Sequence, residues 1–506
     1  MQNLIEITNL LTRKRLKKIE MLDNTILNGK ANKLGELYNG ISQGLFNTDN
    51  EAAAKLYDST PSDGRYTRLK SVFRKRLLNN IFYLDVNDPS FSNLHQARLS
   101  CNRNMALCNI LGTYGARNTA IKLAKKTIVK SQLYTFNDIV VSCARLLKGY
   151  YSLMGDFKSY SKYREISKYH MQMHLADMKA EESYQDLIIH YSKSVSFKRE
   201  LAQEALKYLR ELEDPVLKFN SFTLHYYFYK IKALRFEIEG NYRDSLTVYE
   251  DLAQYLDDNP VFKQTTLIAT LNLNKLDCYL HLNDFTNGEK TAKLSLQYFS
   301  TSNLNRFILL ENYFLLALRT KNYIKAKEIF NEVVYDPKFD YFTEDRKEKW
   351  RIFEAYMNFL YENSSVDQEE LLKYRTKRFN LNKFINDVPN YSKDKRGYNL
   401  AILIIHILYL LKREDFGGII DRTLSLQIYR NRYLKGDEDL RSKHFIKMLL
   451  IMEKESFDYE STKEKASKYL EKLKAENYRH EGTAIDAEII PYEDLWEIVF
   501  KILQKH

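Results

Sequence analysis

Residues that interrupt helices are rare in this chain. It has 7 prolines and 16 glycines in 506 residues, far below the roughly 5% and 7% that soluble proteins typically contain. Strands and βαβ units need such residues at their turns, whereas long helices do not. The chain is also longer than a single hydrophobic core usually grows. We therefore expect an all-α fold, built as several domains or as one extended stack of helices.

A short turn signature recurs five times between amphipathic segments. It consists of a small or polar residue, then Asn or Asp, then an aromatic residue. Its five instances begin at Gly155, Gly240, Asn283, Lys321 and Glu414. A turn that recurs in this way indicates repeated helical hairpins.

The clearest hairpin spans residues 229–260. Its first helix carries Tyr229, Ala233 and Phe236, and its second carries Ser245 four residues before Tyr249. This unit resembles the tetratricopeptide repeat (TPR), which places aromatic and small residues at these intervals. In that family the small residues let two helices approach closely while the aromatic residues fill the space beside them. The resemblance covers roughly residues 98–340 and implies an α-α superhelix, a TPR-like solenoid.

The chain falls into three predicted parts. Residues 1–90 form a distinct helical N-terminal region, and residues 98–340 form the TPR-like helical repeats. Residues 345–506 form degenerate helical repeats that end in a capping helix, because a solenoid needs its last apolar face covered. The apolar residues of that helix are Leu495, Trp496, Val499, Phe500 and Leu503.

The N-terminal region contains a basic helix. Thr48 lies three residues before Glu51, which predicts a capping box, and Ser62 or Asp63 is expected to cap the next helix. A short alanine-rich helix, a turn and a basic helix together resemble the helix-turn-helix or winged-helix module of transcription regulators. The candidate phosphate contacts are Arg65, Arg68, Lys70, Arg74, Lys75 and Arg76. At 100° per residue these side chains spread around the helix, so a solvated helix that packs on the repeats is the alternative interpretation.

The charge of the chain permits an anionic partner without requiring one. The net charge is +12, from 78 basic and 66 acidic residues, so nucleic acid or an acidic protein are both compatible partners. A second basic cluster, residues 13–18, lies on a predicted amphipathic helix that either meets a membrane surface or faces solvent. The longest apolar run, residues 400–411, is shorter than the ~20 residues of a membrane span. We expect a cytoplasmic protein without a secretory signal.

Few residues suggest chemistry. The four cysteines (Cys101, Cys108, Cys143 and Cys278) lack zinc spacing and are expected to be buried free thiols. His170, His174 and Asp177 have helical spacing that suits a metal site, although the neighbouring methionines favour packing. His406 lies in an apolar helix and is expected to be a core residue. No phosphate-binding glycine loop or nucleophile motif occurs, so no catalytic residue, metal or cofactor is predicted.

Two hypotheses for function follow. The first is a non-enzymatic interaction scaffold that binds a protein or peptide in the groove of the superhelix, with Asn274, Lys275 and Asn312 as candidate groove residues. The alternative is a nucleic-acid-associated regulator, whose N-terminal region contacts DNA or RNA while the repeats sense a partner. The oligomeric state stays open.

Overall fold

A computed structural model describes residues 32–81, 92–193, 198–299, 304–363, 379–380, 384, 396–434, 440–476 and 488–505. This part of the chain contains twenty α-helices, two short 3-10 helices and no strand. The predicted all-α fold is confirmed. The basic cluster of residues 13–18 lies outside the described residues. None of the described helices is long and apolar enough to cross a membrane.

The chain divides into two compact units, unit 1 (Met1–Leu175) and unit 2 (Ala176–His506), with the boundary inside one long helix. The helices up to this boundary are α1 (Lys33–Ser42), α2 (Asp49–Tyr57), α3 (Gly64–Ile81), α4 (Asn93–Thr113), α5 (Arg117–Leu133), α6 (Asn137–Leu153) and α7 (Phe157–Lys193). Those that follow are α8 (Lys198–Lys218), α9 (Phe222–Glu239), α10 (Tyr242–Asp258), α11 (Thr265–Leu282), α12 (Phe285–Leu296), α13 (Leu304–Arg319), α14 (Tyr323–Val334), α15 (Glu344–Asn363), α16 (Arg396–Lys412), α17 (Phe416–Tyr433), α18 (Leu440–Lys454), α19 (Tyr459–Ala475) and α20 (Tyr492–Leu503). The predicted part boundaries near residues 90 and 340 stay predictions.

The first three helices of unit 1 share a small core of their own. This core includes Leu37, Ala53 and Phe73. The capping box predicted at Thr48 and Glu51 is present at the start of α2. Asp63 accepts the backbone N–H of Arg65 at 2.7 Å, so Asp63 caps α3 as one of the two predicted residues. A second core lies among α4, α5, α6 and the start of α7.

All five signature turns join consecutive helices, as the pattern predicts. The first residue of each turn has a left-handed backbone, with φ between 52° and 76°. The N–H of the second residue donates to a carbonyl five residues earlier, the bond that ends a helix in a Schellman motif. In four of the five turns the side chain of that second residue also caps the next helix: Asp156, Asn241, Asp284 and Asp415. The turn therefore ends one helix and starts the next within two residues.

Small residues lie where helices approach each other, as the TPR resemblance implies. Ser245, Ala292 and Ala326 are fully buried. A Cβ atom added to Gly288 of α12 would lie 2.2 Å from a side-chain carbon of Leu316 on α13, so a larger residue would force the buried Leu316 side chain to move. The buried positions agree with the repeat pattern, although membership of the repeat family stays a prediction.

Side-chain hydrogen bonds join alternate helices of unit 1. Arg98 of α4 binds Asp138 of α6 through two hydrogen bonds of 2.6 and 2.7 Å. Gln132 of α5 contacts His170 of α7 at 3.2 Å. These residue pairs are separated by 40 and 38 positions respectively, and both pairings join a helix to the next but one.

Replacing a turn glycine separates the effect of the backbone from that of packing. Gly155 has φ +69°, and an added Cβ atom would have no neighbour within 4 Å. We expect Gly155→Ala to lower the free energy of unfolding of unit 1 by about 1 kcal/mol, because an alanine is strained in this conformation. The matched control is Gly149→Ala, in the interior of α6 and equally open, which should raise stability by about 0.5–1 kcal/mol. Urea unfolding of both variants checks this, and a stabilised Gly155→Ala variant contradicts it.

The inner helices of unit 2 are enclosed on almost every side. From Phe307 to Arg319 of α13, all but two of the thirteen residues are buried, and α15 and α16 are nearly as enclosed. The last helix contributes to this enclosure: α20 packs against α16 and α19. Its Tyr492 ring stacks on Phe445 of α18 with the ring centroids 4.3 Å apart. The helix predicted to cap the stack therefore lies within the core of this unit.

One arginine joins the C-terminal segment to this core. The guanidinium of Arg441 on α18 donates to both carboxylate oxygens of Glu488, at 2.8 and 2.6 Å, and to Glu493 at 2.6 Å. It also donates to the carbonyl oxygen of Leu473 at the end of α19. Burial raises the pKa of the Glu488 carboxyl, and the bonds from Arg441 oppose that rise. The backbone carbonyl of Glu488 accepts a further bond from Arg319 of α13.

Removing this arginine should destabilise unit 2 in a pH-dependent way. We expect Arg441→Met to lower the free energy of unfolding of unit 2 by roughly 3–5 kcal/mol near neutral pH, because it leaves the Glu488 carboxylate buried without its arginine partner. Since the folded pKa of Glu488 is already raised and rises further without Arg441, the carboxyl takes up a proton on acidification. The loss should therefore shrink at acidic pH, which thermal unfolding at several pH values measures.

The control for that experiment is the double variant Arg441→Met with Glu488→Gln. It removes the titrating carboxyl while keeping the shape of the side chain. Its stability loss should no longer depend on pH through this group. An equal pH dependence in the single and double variants would show that another group is responsible.

Candidate nucleic-acid interface

The predicted basic helix α3 is partly neutralised by its own neighbours. Arg65 pairs with Asp63 at 2.7 Å, and this contact holds the pKa of the Asp63 carboxyl far below its usual range. Lys70 pairs with Asp49 of α2, also at 2.7 Å. Arg68, Arg74 and Lys75 are exposed, whereas Arg76 is half-buried. The six candidate residues are therefore present on one helix but do not form one uncompensated face.

The positive charge of the chain is concentrated in unit 1. Residues 1–175 contain 27 lysines and arginines against 13 acidic residues, whereas residues 176–506 contain 51 against 53. All of the +12 net charge therefore resides in the first third of the sequence. Such asymmetry between parts of a chain is typical of proteins that bind nucleic acid or another polyanion.

The basic excess extends well beyond α3. Residues 92–175 contain 13 lysines and arginines but only three acidic residues, Asp138, Asp156 and Glu165. Two of these three already pair with an arginine: Asp138 with Arg98 and Glu165 with Arg164. This basic excess is also visible in the sequence, because no Asp or Glu occurs in the 49 residues between Asp88 and Asp138. Our sequence reasoning concentrated on a short cluster in α3 and missed the longer segment.

Helix α5 presents the most open part of this surface. Its buried face includes Ala120, Ala124 and Ile128. Lys122 and Lys126 lie one turn apart on the opposite, exposed face. Helix α5 contains no acidic residue. Two lysines on one exposed helix face are well placed to meet phosphate groups.

Helix α7 adds a second row of lysines in register with α5. The contact between Gln132 and His170 shows that residue n of α5 lies level with residue n+38 of α7. A second set of contacts agrees with this register: the Lys125 ammonium lies over the ring of Tyr151, which stacks on the ring of Tyr163, 38 residues after Lys125. The exposed residues Lys158 and Lys162 of α7 are therefore level with the first half of α5, where Lys122 lies. Two neighbouring helices thus carry basic residues at matching levels.

Exposed aromatic residues are interleaved with these charges. Tyr114, Phe157 and Tyr169 are all exposed, and Phe157 reaches 74% exposure. Tyr151 accepts a contact from the Lys125 ammonium, which lies 5.4 Å from the ring centre, and a hydrogen bond to Tyr151 raises the pKa of Lys125. Aromatic rings beside basic residues provide stacking surfaces for unpaired bases.

One of the three candidate residues of the predicted peptide groove is buried, and the other two are half-buried. Asn274 and Lys275 of α11 are half-buried, and burial lowers the pKa of Lys275. Asn312 is only 8% exposed and donates to a carboxylate oxygen of Asp277 at 3.4 Å. The expectation that Asn312 is exposed is therefore wrong, because α13 is an inner helix of unit 2. Asn312 joins two neighbouring helices.

The titratable residues singled out in the sequence are packed. The Nδ1–H of His170 donates to the side-chain oxygen of Asn137 at 2.7 Å, and burial lowers the pKa of His170. Burial also lowers the pKa of His406 to about 4. Among the described residues, no group of three His, Cys, Asp or Glu side chains could hold a metal ion.

Comparison with known proteins does not assign a family. No protein-family model, curated protein or solved structure matches this chain.

The cysteines provide a direct test of the packing. All four thiols are buried, and burial raises the pKa of Cys108 to about 11 and that of Cys143 to about 12. We expect the folded protein to resist a thiol reagent that labels all four cysteines quickly in urea, because only an accessible thiolate reacts. Mass spectrometry counts the labels. Rapid labelling of Cys108 or Cys143 without denaturant would contradict the described core.

Proposed function

We propose that this chain is a non-enzymatic, TPR-like scaffold that binds single-stranded nucleic acid through the exposed basic face of α4 to α7. The observation that carries the proposal is the segregation of charge, because residues 92–175 hold 13 basic residues against three acidic ones. Neutralisation of phosphates by such residues supplies most of the sequence-independent affinity for nucleic acid. The predicted N-terminal contact on α3 becomes the smaller part of this surface.

The exposed aromatic residues favour a single strand over a duplex or an acidic protein. Stacking on an aromatic ring needs an unpaired base. Phe157 and Tyr169 are exposed on α7, the helix that also carries Lys158 and Lys162, and the exposed Tyr114 directly follows α4. An acidic protein would use the charges without needing the rings. A duplex presents phosphates but keeps its bases stacked.

The helical scaffold supports binding better than catalysis. Its five signature turns share one backbone geometry, a feature of proteins that build an extended surface from similar units. Cys108, Cys143 and His406 are buried, with pKa values shifted away from those of a nucleophile or base active near neutral pH. The repeats thus provide rigid positions for side chains that meet a partner.

The test measures binding of a fluorescein-labelled single-stranded oligonucleotide by anisotropy at several salt concentrations. We expect the affinity to fall steeply with salt. The double variant Lys122→Gln/Lys126→Gln should reduce the slope of log K against log salt by about 1.4, since each lost phosphate contact removes about 0.7 for a single strand. A duplex of the same sequence should bind more weakly.

A matched control removes two exposed lysines from unit 2 in the double variant Lys290→Gln/Lys501→Gln. It changes the net charge equally and should leave the salt slope unchanged. A second comparison, Arg68→Gln/Arg74→Gln, measures the contribution of α3. If the control weakens binding as much as the α5 variant, or if binding is indifferent to salt, the proposal is overturned. Equal affinity for an acidic polypeptide of the same charge would also count against nucleic acid.

A further inference from the structure

Helix α17 in unit 2 has two apolar faces. One face, with Ile419, Thr423 and Leu426, is buried against α16 and α18. The other carries Ile420, Leu424 and Ile428 at intervals of four residues, with exposures of 44%, 57% and 65%. We call these three residues the α17 stripe. Apolar residues spaced by one helical turn form the kind of ridge against which another helix packs.

The stripe leads into a basic depression. One turn beyond Ile428 the same line of α17 reaches Asn431 and Leu434, which form part of its wall. The depression has a volume of about 360 Å³, and its other lining residues are Arg430, Lys443, His444, Lys447 and Tyr469. Three of the seven lining residues are permanently basic and none is acidic. Two charged residues near the end of α19 also act on His444: after burial, the field of Lys472 lowers its pKa further, whereas that of Glu476 raises it.

We infer that the α17 stripe and this depression together dock an acidic amphipathic helix from a protein partner. The apolar residues of such a helix would pack on Ile420, Leu424 and Ile428. Its carboxylates would enter the depression beside Arg430 and Lys447. This arrangement is a helix-in-groove mode of recognition, in which apolar anchors provide affinity and charge provides orientation.

Charge complementarity is the reason for choosing this occupant. Unit 2 carries 51 basic and 53 acidic residues overall, so a depression lined by three basic residues and no acidic one is a local departure from a balanced surface. A purely apolar partner would satisfy the stripe but would cover Arg430 and Lys447 without bringing an anion to them. An anionic membrane would attract the cations, but it is flat and gains nothing from a concave site at the end of one helix.

The experiment uses the full chain and a synthetic fluorescein-labelled helical peptide with leucines at every fourth position and glutamates in its last turns. A second peptide has lysines in place of the glutamates. We expect the acidic peptide to bind with a Kd on the order of micromolar and the basic peptide at least tenfold more weakly. Leu424→Glu should weaken binding of the acidic peptide by tenfold or more. The matched control Leu294→Glu alters a residue on α12 that is likewise exposed, at 44%, and should have no effect.

Reversing the charge makes the test independent of folding. The variant Lys447→Glu should weaken binding of the acidic peptide and strengthen binding of the basic peptide. A misfolded protein does not produce such a change of preference. Three results overturn the inference. The first is that the acidic peptide does not bind. The second is self-association of the chain that Leu424→Glu abolishes, and the third is sedimentation with anionic phospholipid vesicles that Leu424→Glu abolishes. The second result would assign the stripe to another copy of the chain, and the third to a lipid surface.

Discussion

The rest of this fold depends on the backbone hydrogen bond that closes each signature turn between two helices. It runs from the N–H of the capping Asn or Asp to a carbonyl five residues earlier, and it requires a left-handed residue just before the cap. A turn this short sends the next helix back along the previous one, so consecutive helices must pack. The aromatic residue after the cap then lies at the junction, as Tyr242 does when it stacks on His281. The few glycines are sufficient because Asn283, Lys321 and Glu414 accept the left-handed backbone themselves.

In unit 2 the C-terminal segment packs against the inner helices. A stack of first helices would otherwise leave one row of faces open for a partner. Here Glu488 reaches Arg319 of α13 and Arg441 of α18, and the helix that follows brings Trp496 into the same core. The inner faces are used for folding, which is why Asn312 binds Asp277 and does not face solvent. The outward face of α17, in contrast, leaves apolar side chains exposed.

The sequence predicted the local structure better than the surfaces. The turns, the capping box at Thr48 and the buried small residues depend on neighbours within a few positions, and each was predicted correctly. The exposure of Asn312 depends on segments far along the chain, and periodicity alone does not show that an inner helix is covered on its second side. The pairing of Lys70 with Asp49 is also non-local, since 21 residues separate them. The basic excess of residues 92–175 was visible in the sequence, but a long dilute pattern is harder to notice than six residues in one helix.

The two proposed surfaces differ in the physical force that each uses. Binding to the lysines of α5 and α7 releases counterions, so its free energy depends strongly on salt. Docking on the α17 stripe buries apolar side chains, whose contribution salt hardly weakens, and only its basic depression is screened. Because the net positive charge lies entirely in unit 1, a rise in ionic strength would release a nucleic acid while an apolar contact with a protein persisted. A scaffold with both surfaces can therefore keep one partner while it exchanges the other, without any change in its fold.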